Sequence, residues 1–324
     1  MQIPIARYRF TCVSLDDLRL PFYSGSALRG AFGYMLRKIS CLTKQPTCTH
    51  CPLRRTCPYS MIFEPEVPMD SGLTADQALP AYILEPLPLG QRGLTEQEEF
   101  CFNLVLLGPA IQHLALLIYV WEQIFSQGIR KPDGKAQIKK VEWLPNAKDS
   151  VQVYSVGHAL RVHDAVLTIP VLPEANVINI EFLTPTRIRS DGARLGPESI
   201  QVEDFFRALN RRYRLLMRQY QLPELPRPLT LPTSLQHEYR DMHWLDWTRY
   251  SSRQEREMTL GGLVGVWHWS VQDIKDWWAY LYVGQWLHVG KNAAFGMGHY
   301  HITVGEQSTA IENQSVTSYL KMSR

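Results

Sequence analysis

Four of the chain's six cysteines fall within CLTKQPTCTHCPLRRTC, spaced Cys41-x6-Cys48-x2-Cys51-x5-Cys57. A CxxC pair forms a knuckle that presents two sulfurs to one ion, and two further cysteines from flanking turns complete the tetrahedral shell that zinc prefers. Pro46, Pro52 and Pro58 stiffen the turns around Cys41, Cys48, Cys51 and Cys57. His50 lies between the knuckle cysteines and can replace one of them as a ligand. Four soft ligands leave no open position for water, so the spacing points to one structural zinc that holds the loop folded, with catalysis to be sought elsewhere. Free thiols are the alternative reading, and a redox CxxC a more distant one.

A second stretch with chemical content is GKNAAFGMG, Gly290 to Gly298. Glycines let the backbone approach a ligand closely and expose consecutive N–H groups to phosphate, and Lys291 adds charge. Gly290, Lys291, Asn292, Gly296 and Gly298 are the candidate contacts. No GKS or GKT follows, and the loop enters a strand rather than a helix, so neither a P-loop nor a dinucleotide fingerprint fits. A plain tight turn is the competing reading.

Arginines supply the third feature. TPTRIR places Arg187 and Arg189 in a loop after a strand, and WTRYSSRQ sets Arg249 and Arg253 around Tyr250. Arginine interleaved with an aromatic ring suits phosphate pairing plus base stacking, the usual devices of single-stranded RNA recognition; for Tyr250, core packing is the alternative. From Arg187 to Arg218 there are eight arginines against four acids.

The elements that must position these groups follow from periodicity. A chain of 324 residues, 45% hydrophobic, buries a large core without cross-links and suggests two domains. Residues 2 to 13 alternate as a half-buried strand, and SGSALRGAFGYMLRKIS carries Leu28, Phe32, Met35 and Leu36 at helical spacing, with Ser24 or Ser26 as cap. FCFNLVLLG predicts a strand, PAIQHLALLIYVWEQIFSQG a buried helix opened by proline, and KAQIKKVEWL and SVQVYSV further strands. The same order begins again near residue 175. VINIEFLTPTRI is a strand, and IQVEDFFRALNRRYRLLMRQYQ is an amphipathic helix with Arg207, Arg211, Arg214 and Arg218 opposite its apolar face. That arginine stripe reads equally well as a solvated face. MTLGGLVGVWHWS is a strand, and a helix capped at Ser270 precedes the glycine loop.

The expected fold is therefore α+β: two tandem ferredoxin-like βαββαβ domains with a small zinc-binding insertion. The expected domains are 1–172, with the cysteine-rich insertion at 41–60, and 173–305, followed by a frayed tail at 306–324. The longest apolar run, Leu114 to Trp121, is too short to span a bilayer, and MQIPIARYRF lacks a signal-peptide core. A soluble, cytoplasmic protein without a membrane partner is expected; a reducing compartment also favours metal-bound thiolates over disulfides.

ALRGAFGYML, the cysteine loop ending CPYSMIFEP, FLTPTRIR, WTRYSSRQ, GGLVGVW and HVGKNAAFGMGHY, in this order, together resemble the CRISPR-associated repeat-processing endoribonucleases of the RAMP superfamily. The resemblance implies tandem ferredoxin-like domains that bind the repeat of a CRISPR precursor transcript and cut it to yield guide RNAs. It implies no catalytic metal: the ribose 2′-OH attacks the adjacent phosphate, leaving a 2′,3′-cyclic phosphate and a 5′-OH. It also implies repeat RNA as partner, with other CRISPR-associated proteins as possible companions. Many members carry a catalytic histidine on or just after the first helix. The closest matching position here is Arg29, and the nearest downstream histidine is His50. Arginine stays protonated, so Arg29 would stabilise phosphate charge rather than take a proton, and Tyr23 or Tyr34 can contribute a hydroxyl. The missing histidine keeps open an RNA-binding RAMP subunit that does not cut. A zinc-dependent nucleic-acid module would explain the cysteines but not the glycine loop.

Overall fold

A computed structural model describes residues 1–90, 93–129, 133–190, 192–226, 228, 230–232, 238–251 and 256–305, with backbone alone at 249–251 and 256–258. The expected tail at 306–324 lies outside these residues. Two compact units divide the chain: Met1–Thr168 with Arg214–Glu224, and Ile169–Tyr213 with Leu225–Arg324. The described elements are mixed α and β in both.

Unit 1 runs β1 (Ile5–Ser14), α1 (Gly25–Ser40), α2 (Pro58–Ile62), β2 (Tyr82–Glu85), β3 (Glu99–Leu107), α3 (Leu114–Gln127), β4 (Ala136–Leu144) and β5 (Val151–Ser155). Its sheet has the order β2-β3-β1-β4-β5 with every pair antiparallel. Alternation along β1 sends Ala6, Tyr8, Phe10 and Cys12 into the core. The apolar stripe of α1 buries Leu28, Phe32, Met35 and Leu36, and Phe32 lies flat on Trp121 of α3 with centroids 5.7 Å apart. Trp121 also meets Phe102 of β3 at 4.4 Å, so both helices share one aromatic centre. Full burial of each large apolar side chain stabilises by roughly 1.5–3 kcal/mol.

Three local expectations change. YILE, which forms β2, has no alternation because all four residues are buried, so nothing in its pattern marks it as a strand. Pro109 opens a 3-10 turn, Gly108–His113, and the α-helix starts only at Leu114. Ser24 stands at the N-cap of α1 without a side-chain cap bond; its φ of -77° and ψ of -14° are helical, whereas a capping hydroxyl needs an extended backbone.

Unit 2 runs β6 (Val177–Thr186), a ribbon of β7 (Arg189–Ser190) and β8 (Ala193–Arg194), α4 (Val202–Tyr220), β9 (Tyr239–Ser251), β10 (Arg256–Ser270), α5 (Val271–Ile274), α6 (Trp278–Leu287) and β11 (Tyr300–Gly305). The residues of α4 from Arg214 onward are grouped with unit 1. The main sheet has the order β9-β10-β6-β11. Phe205 of α4 packs edge-on against Trp267, Trp269 and Tyr300, at 6.1, 5.4 and 5.6 Å. The helix expected after Ser270 is broken into α5, a 3-10 turn at Lys275–Trp277, and α6; Ser270 makes no side-chain cap bond. No helix among the described residues is long and apolar enough to cross a membrane.

Candidate nucleic-acid interface

The cysteine loop starts where α1 stops. Cys41 is the C-cap of α1, its N–H donating to Arg37 O at 2.9 Å, and Cys57 is the N-cap of α2 with Pro58 in the first turn. Between them the backbone folds by tight turns, Cys51 N–H to Cys48 O at 3.3 Å and Cys57 N–H to Leu53 O at 2.8 Å. All four thiols are free, and Cys41, Cys48, Cys51 and Cys57 together line one cavity of about 10 Å3, close to the space of a single water. The Thr43 hydroxyl stands 3.4 Å from Cys51 Sγ and 4.0 Å from Cys41 Sγ. Arg37 reaches back from α1 to the carbonyls of Gln45 and Pro46, at 2.5 and 2.9 Å.

Burial pushes the Cys41 thiol up, but hydrogen bonds from Lys44, Thr43 and Arg37, with the charge of Arg37, outweigh it and leave the thiol below its ordinary range. Cys48 is raised, first by burial and then by the negative charge of Glu64, with Cys57 and Cys41 adding to it against Arg37. Mutual repulsion of this kind is what a bound cation would relieve, and the four-sulfur donor set suits zinc. His50 is exposed on the turn between the knuckle cysteines and does not line the cavity.

The other two candidate catalytic residues sit around the start of α1. Arg29 is half-buried, its guanidinium carbon 4.6 Å over the Phe63 ring and its Nε without a hydrogen-bond partner. Phe63 itself stacks on Tyr59 and Tyr82, at 5.4 and 5.5 Å, so Arg29 caps an aromatic column. The Tyr82 phenol is pushed up by burial, with Arg29's charge opposing. Tyr23 is 1% exposed, and burial followed by the charge of Glu85 holds its phenol protonated far above the usual range. Tyr34, by contrast, is 58% exposed.

In unit 2 the glycine loop is built by close approach. Gly290, Gly296 and Gly298 have φ of +83°, +94° and +77°, and Asn292 shares the left-handed region at +67°. A Cβ on Gly290 would collide with the Arg187 carbonyl, and one on Gly298 with the Val289 carbonyl. Val289 N–H closes the neck by donating to Gly298 O at 2.9 Å. Lys291 N–H donates to Arg187 O at 3.0 Å and Gly298 N–H to Pro185 O at 3.1 Å, while Thr184 Oγ1 donates to Gly296 O at 2.7 Å. The loop is thus strapped across the end of β6. One expectation is corrected here: the N–H groups of Lys291, Gly296 and Gly298 are engaged within the protein, and Gly296 and Gly298 are buried, so they do not face phosphate. The Lys291 side chain is exposed, and Gly290 and Asn292 are partly so.

Two histidines without any sequence signature flank this loop. His288 is fully buried with φ of +60°, its Nδ1 3.1 Å from Met297 O, and His299 stacks on it with centroids 4.6 Å apart and rings 3° from parallel. Their closeness to the loop's two end glycines is the one signal that could have singled them out.

Arg187 is joined to the glycine loop through its backbone, whereas Arg189 lies on the exposed ribbon β7/β8. Arg249 and Tyr250 belong to the far end of the β9/β10 hairpin, paired with Met258 and Glu257; Arg253 lies outside the described residues. Arg207, Arg211, Arg214 and Arg218 lie along α4, Arg207 pairing with Glu203 at 2.6 Å.

Two α+β units divide the chain, and the second carries a glycine loop whose backbone bonds to the Arg187 carbonyl. A family model described as an N-terminal domain matches residues 3–165, and the model of the CRISPR-associated endoribonuclease Cas6 matches residues 180–300. The match over residues 180–300 supports a likeness of this segment to the CRISPR-associated repeat-processing endoribonucleases. No curated protein matches the sequence. Among solved structures, a partial Cas6-RT-Cas1–Cas2 complex aligns with a TM-score of 0.55 at 11% identity, over 98% of this chain and 48% of the other. A further Cas6-RT-Cas1–Cas2 complex gives the same score and identity over 30% of its chain. A Thermus thermophilus Cas6 product complex aligns with a TM-score of 0.50 at 14% identity, over 92% of this chain and 100% of that one. The chain thus spans less than half the length of the first two. At these identities the likeness is one of fold.

Proposed function

We propose that this protein binds CRISPR precursor RNA and cleaves it within the repeats to generate guide RNAs. The observation that carries the reading is the glycine loop held against Arg187 inside the segment matched by the Cas6 model. Both units are read as ferredoxin-like: each has the order strand, helix, two strands, helix, strand, and in each main sheet the first strand stands between the third and fourth. Lys291, Arg187, Arg189, Arg249, Tyr250 and Arg253 are assigned to RNA, by charge pairing and stacking. The cysteine loop is assigned one structural zinc on Cys41, Cys48, Cys51 and Cys57.

The reaction needs no external nucleophile, because the ribose 2′-OH attacks its own phosphate to give a 2′,3′-cyclic phosphate and a 5′-OH. What the protein must supply is an acceptor for the 2′-OH proton, a donor for the leaving 5′-oxygen, and positive charge for the phosphorane. Arg29 is assigned the charge; His50, exposed, and Tyr23, held protonated, are the candidate proton-transfer groups. The assay is single-turnover cleavage of a matching repeat RNA in EDTA, on protein shown to retain its zinc. Cyclic-phosphate product supports the reading. Tight repeat binding with no product would make the chain a non-cleaving RNA-binding subunit, a reading favoured by the absence of histidine from α1.

A further inference from the structure

The ribbon that follows β6 sets Arg189 directly opposite Arg194, and Leu195 N–H extends the pairing to Ile188 O at 3.2 Å. Directly opposed residues stand about 4.5–5.5 Å apart at Cβ, and like charges placed so destabilise a ribbon. Arg187 enters the same ribbon. It is 7% exposed, and its Nε has no hydrogen-bond partner. Burial lowers its pKa, and the charges of Arg194 and Arg189 lower it further, against Asp246. Asp246 already accepts from Trp244 Nε1 at 2.8 Å. Among the described residues none of the three arginines has an ion-pair partner. A buried guanidinium with an unmet donor, beside two like charges and beneath the loop that carries Lys291, is a costly arrangement in the free protein. An anion with several acceptor oxygens would relieve the repulsion and satisfy the donor together.

We propose that Arg187, Arg189 and Arg194 form a single phosphate-binding site that seats one phosphodiester of the RNA strand beside the glycine loop, with Arg194 as an additional positioning residue. The inference rests on the RNA-binding reading of unit 2 for its ligand, but the site itself is tested separately. The guanidinium fork matches phosphate geometry, and β7/β8 presents two forks from one small ribbon. Arg194 is exposed, so its replacement leaves the core untouched.

Two probes separate the possibilities. The first is a 5′-hydroxyl oligouridylate, which has internal phosphodiesters and no terminal phosphate, titrated by fluorescence anisotropy across a range of KCl. Arg194→Ala and Arg189→Ala should each lower the slope of log K against log salt by about 0.7, the value for one contact on a single strand, and Arg194→Lys should keep the slope. The second is inorganic phosphate, read as a rise in thermal midpoint over chloride at matched ionic strength; the wild type should rise and Arg194→Ala should not. If the wild type binds RNA and Arg194→Ala changes neither readout, the proposal is overturned while RNA binding stands. If the wild type ignores RNA but shows an Arg194-dependent phosphate effect, the RNA reading fails and the anion site stands. If neither probe distinguishes Arg194→Ala from wild type, there is no such site.

Discussion

In the main sheet of each unit the first strand stands between the third and fourth, yet the two units fix their conspicuous loops by different physical means. The cysteine loop of unit 1 is open to solvent, with Leu42 at 80% exposure, and is held by turns plus four thiols around one cavity. The glycine loop of unit 2 is buried from Phe295 to Gly298, and its carbonyls and amides bond to β6 and to one another. One loop brings four thiols around a cavity, the donor set of the proposed zinc. The other depends on backbones touching where no side chain fits. The same scaffold can therefore be broken in two unlike ways.

The largest effect should come from the thiols. Cys48→Ser with Cys51→Ser removes the knuckle, and because structural zinc contributes on the order of 10 kcal/mol of apparent binding free energy, the loop should unfold. Metal analysis should find about one zinc per wild-type chain and none in the double variant; zinc-free wild type, purified without chelators, would sink the assignment. Next comes Gly298→Ala. A left-handed residue other than glycine costs about 1–3 kcal/mol, and the collision with the Val289 carbonyl adds overpacking of similar size, so the thermal midpoint should fall while zinc content is unchanged. Wild-type stability in the Gly298→Ala variant would show that the close approach is not what holds the loop.

How much of this contrast could be read from residues alone differs between the loops. That the four cysteines gather at one cavity was legible because their short spacing is visible in one dimension. The glycines were visible too, but their expected purpose was reversed at Gly296 and Gly298, whose N–H groups bond inward. Spacing shows where a chain can turn, whereas the partner of each N–H is a tertiary fact. The opposition of Arg189 and Arg194 depends on ribbon register, and the stacking of His288 on His299 on a closed loop neck; neither leaves a periodic trace. The strand Tyr82–Glu85 escaped because complete burial erases alternation.

A smaller and more local test concerns two adjacent positions of α1. Arg29→Ala should slow single-turnover cleavage by about a hundredfold, the scale of one electrostatic donor lost from a transition state, with RNA affinity nearly unchanged. Equal losses in affinity and rate would instead mark Arg29 as a support for the Phe63 and Tyr82 column it caps. Gly30→Ala, one residue on, meets nothing within 4 Å and lies in a helix interior, so it should stabilise unit 1 by about 1 kcal/mol. A raised thermal midpoint without loss of activity would confirm that Gly30 is not a contact site. It would also set the contrast with Gly298, where the same substitution has the opposite sign.

The smallest predicted effect tests whether the buried loop of unit 2 presents anything outward. With the N–H groups of Lys291, Gly296 and Gly298 engaged internally, the exposed Lys291 side chain is the loop's charged surface group. A lysine on one phosphate of a single strand releases about 0.7 of a counterion, so Lys291→Ala should weaken binding to all RNAs alike by a few-fold at moderate salt and lower the salt slope by that amount. Since the Lys291 N–H to Arg187 O bond is a backbone bond, alanine leaves it in place, and stability should not change. A sequence-selective loss would mean that Lys291 reads a base rather than a phosphate. An unchanged slope would mean that the loop acts only by bracing the Arg187 backbone, through the Lys291 N–H to Arg187 O bond.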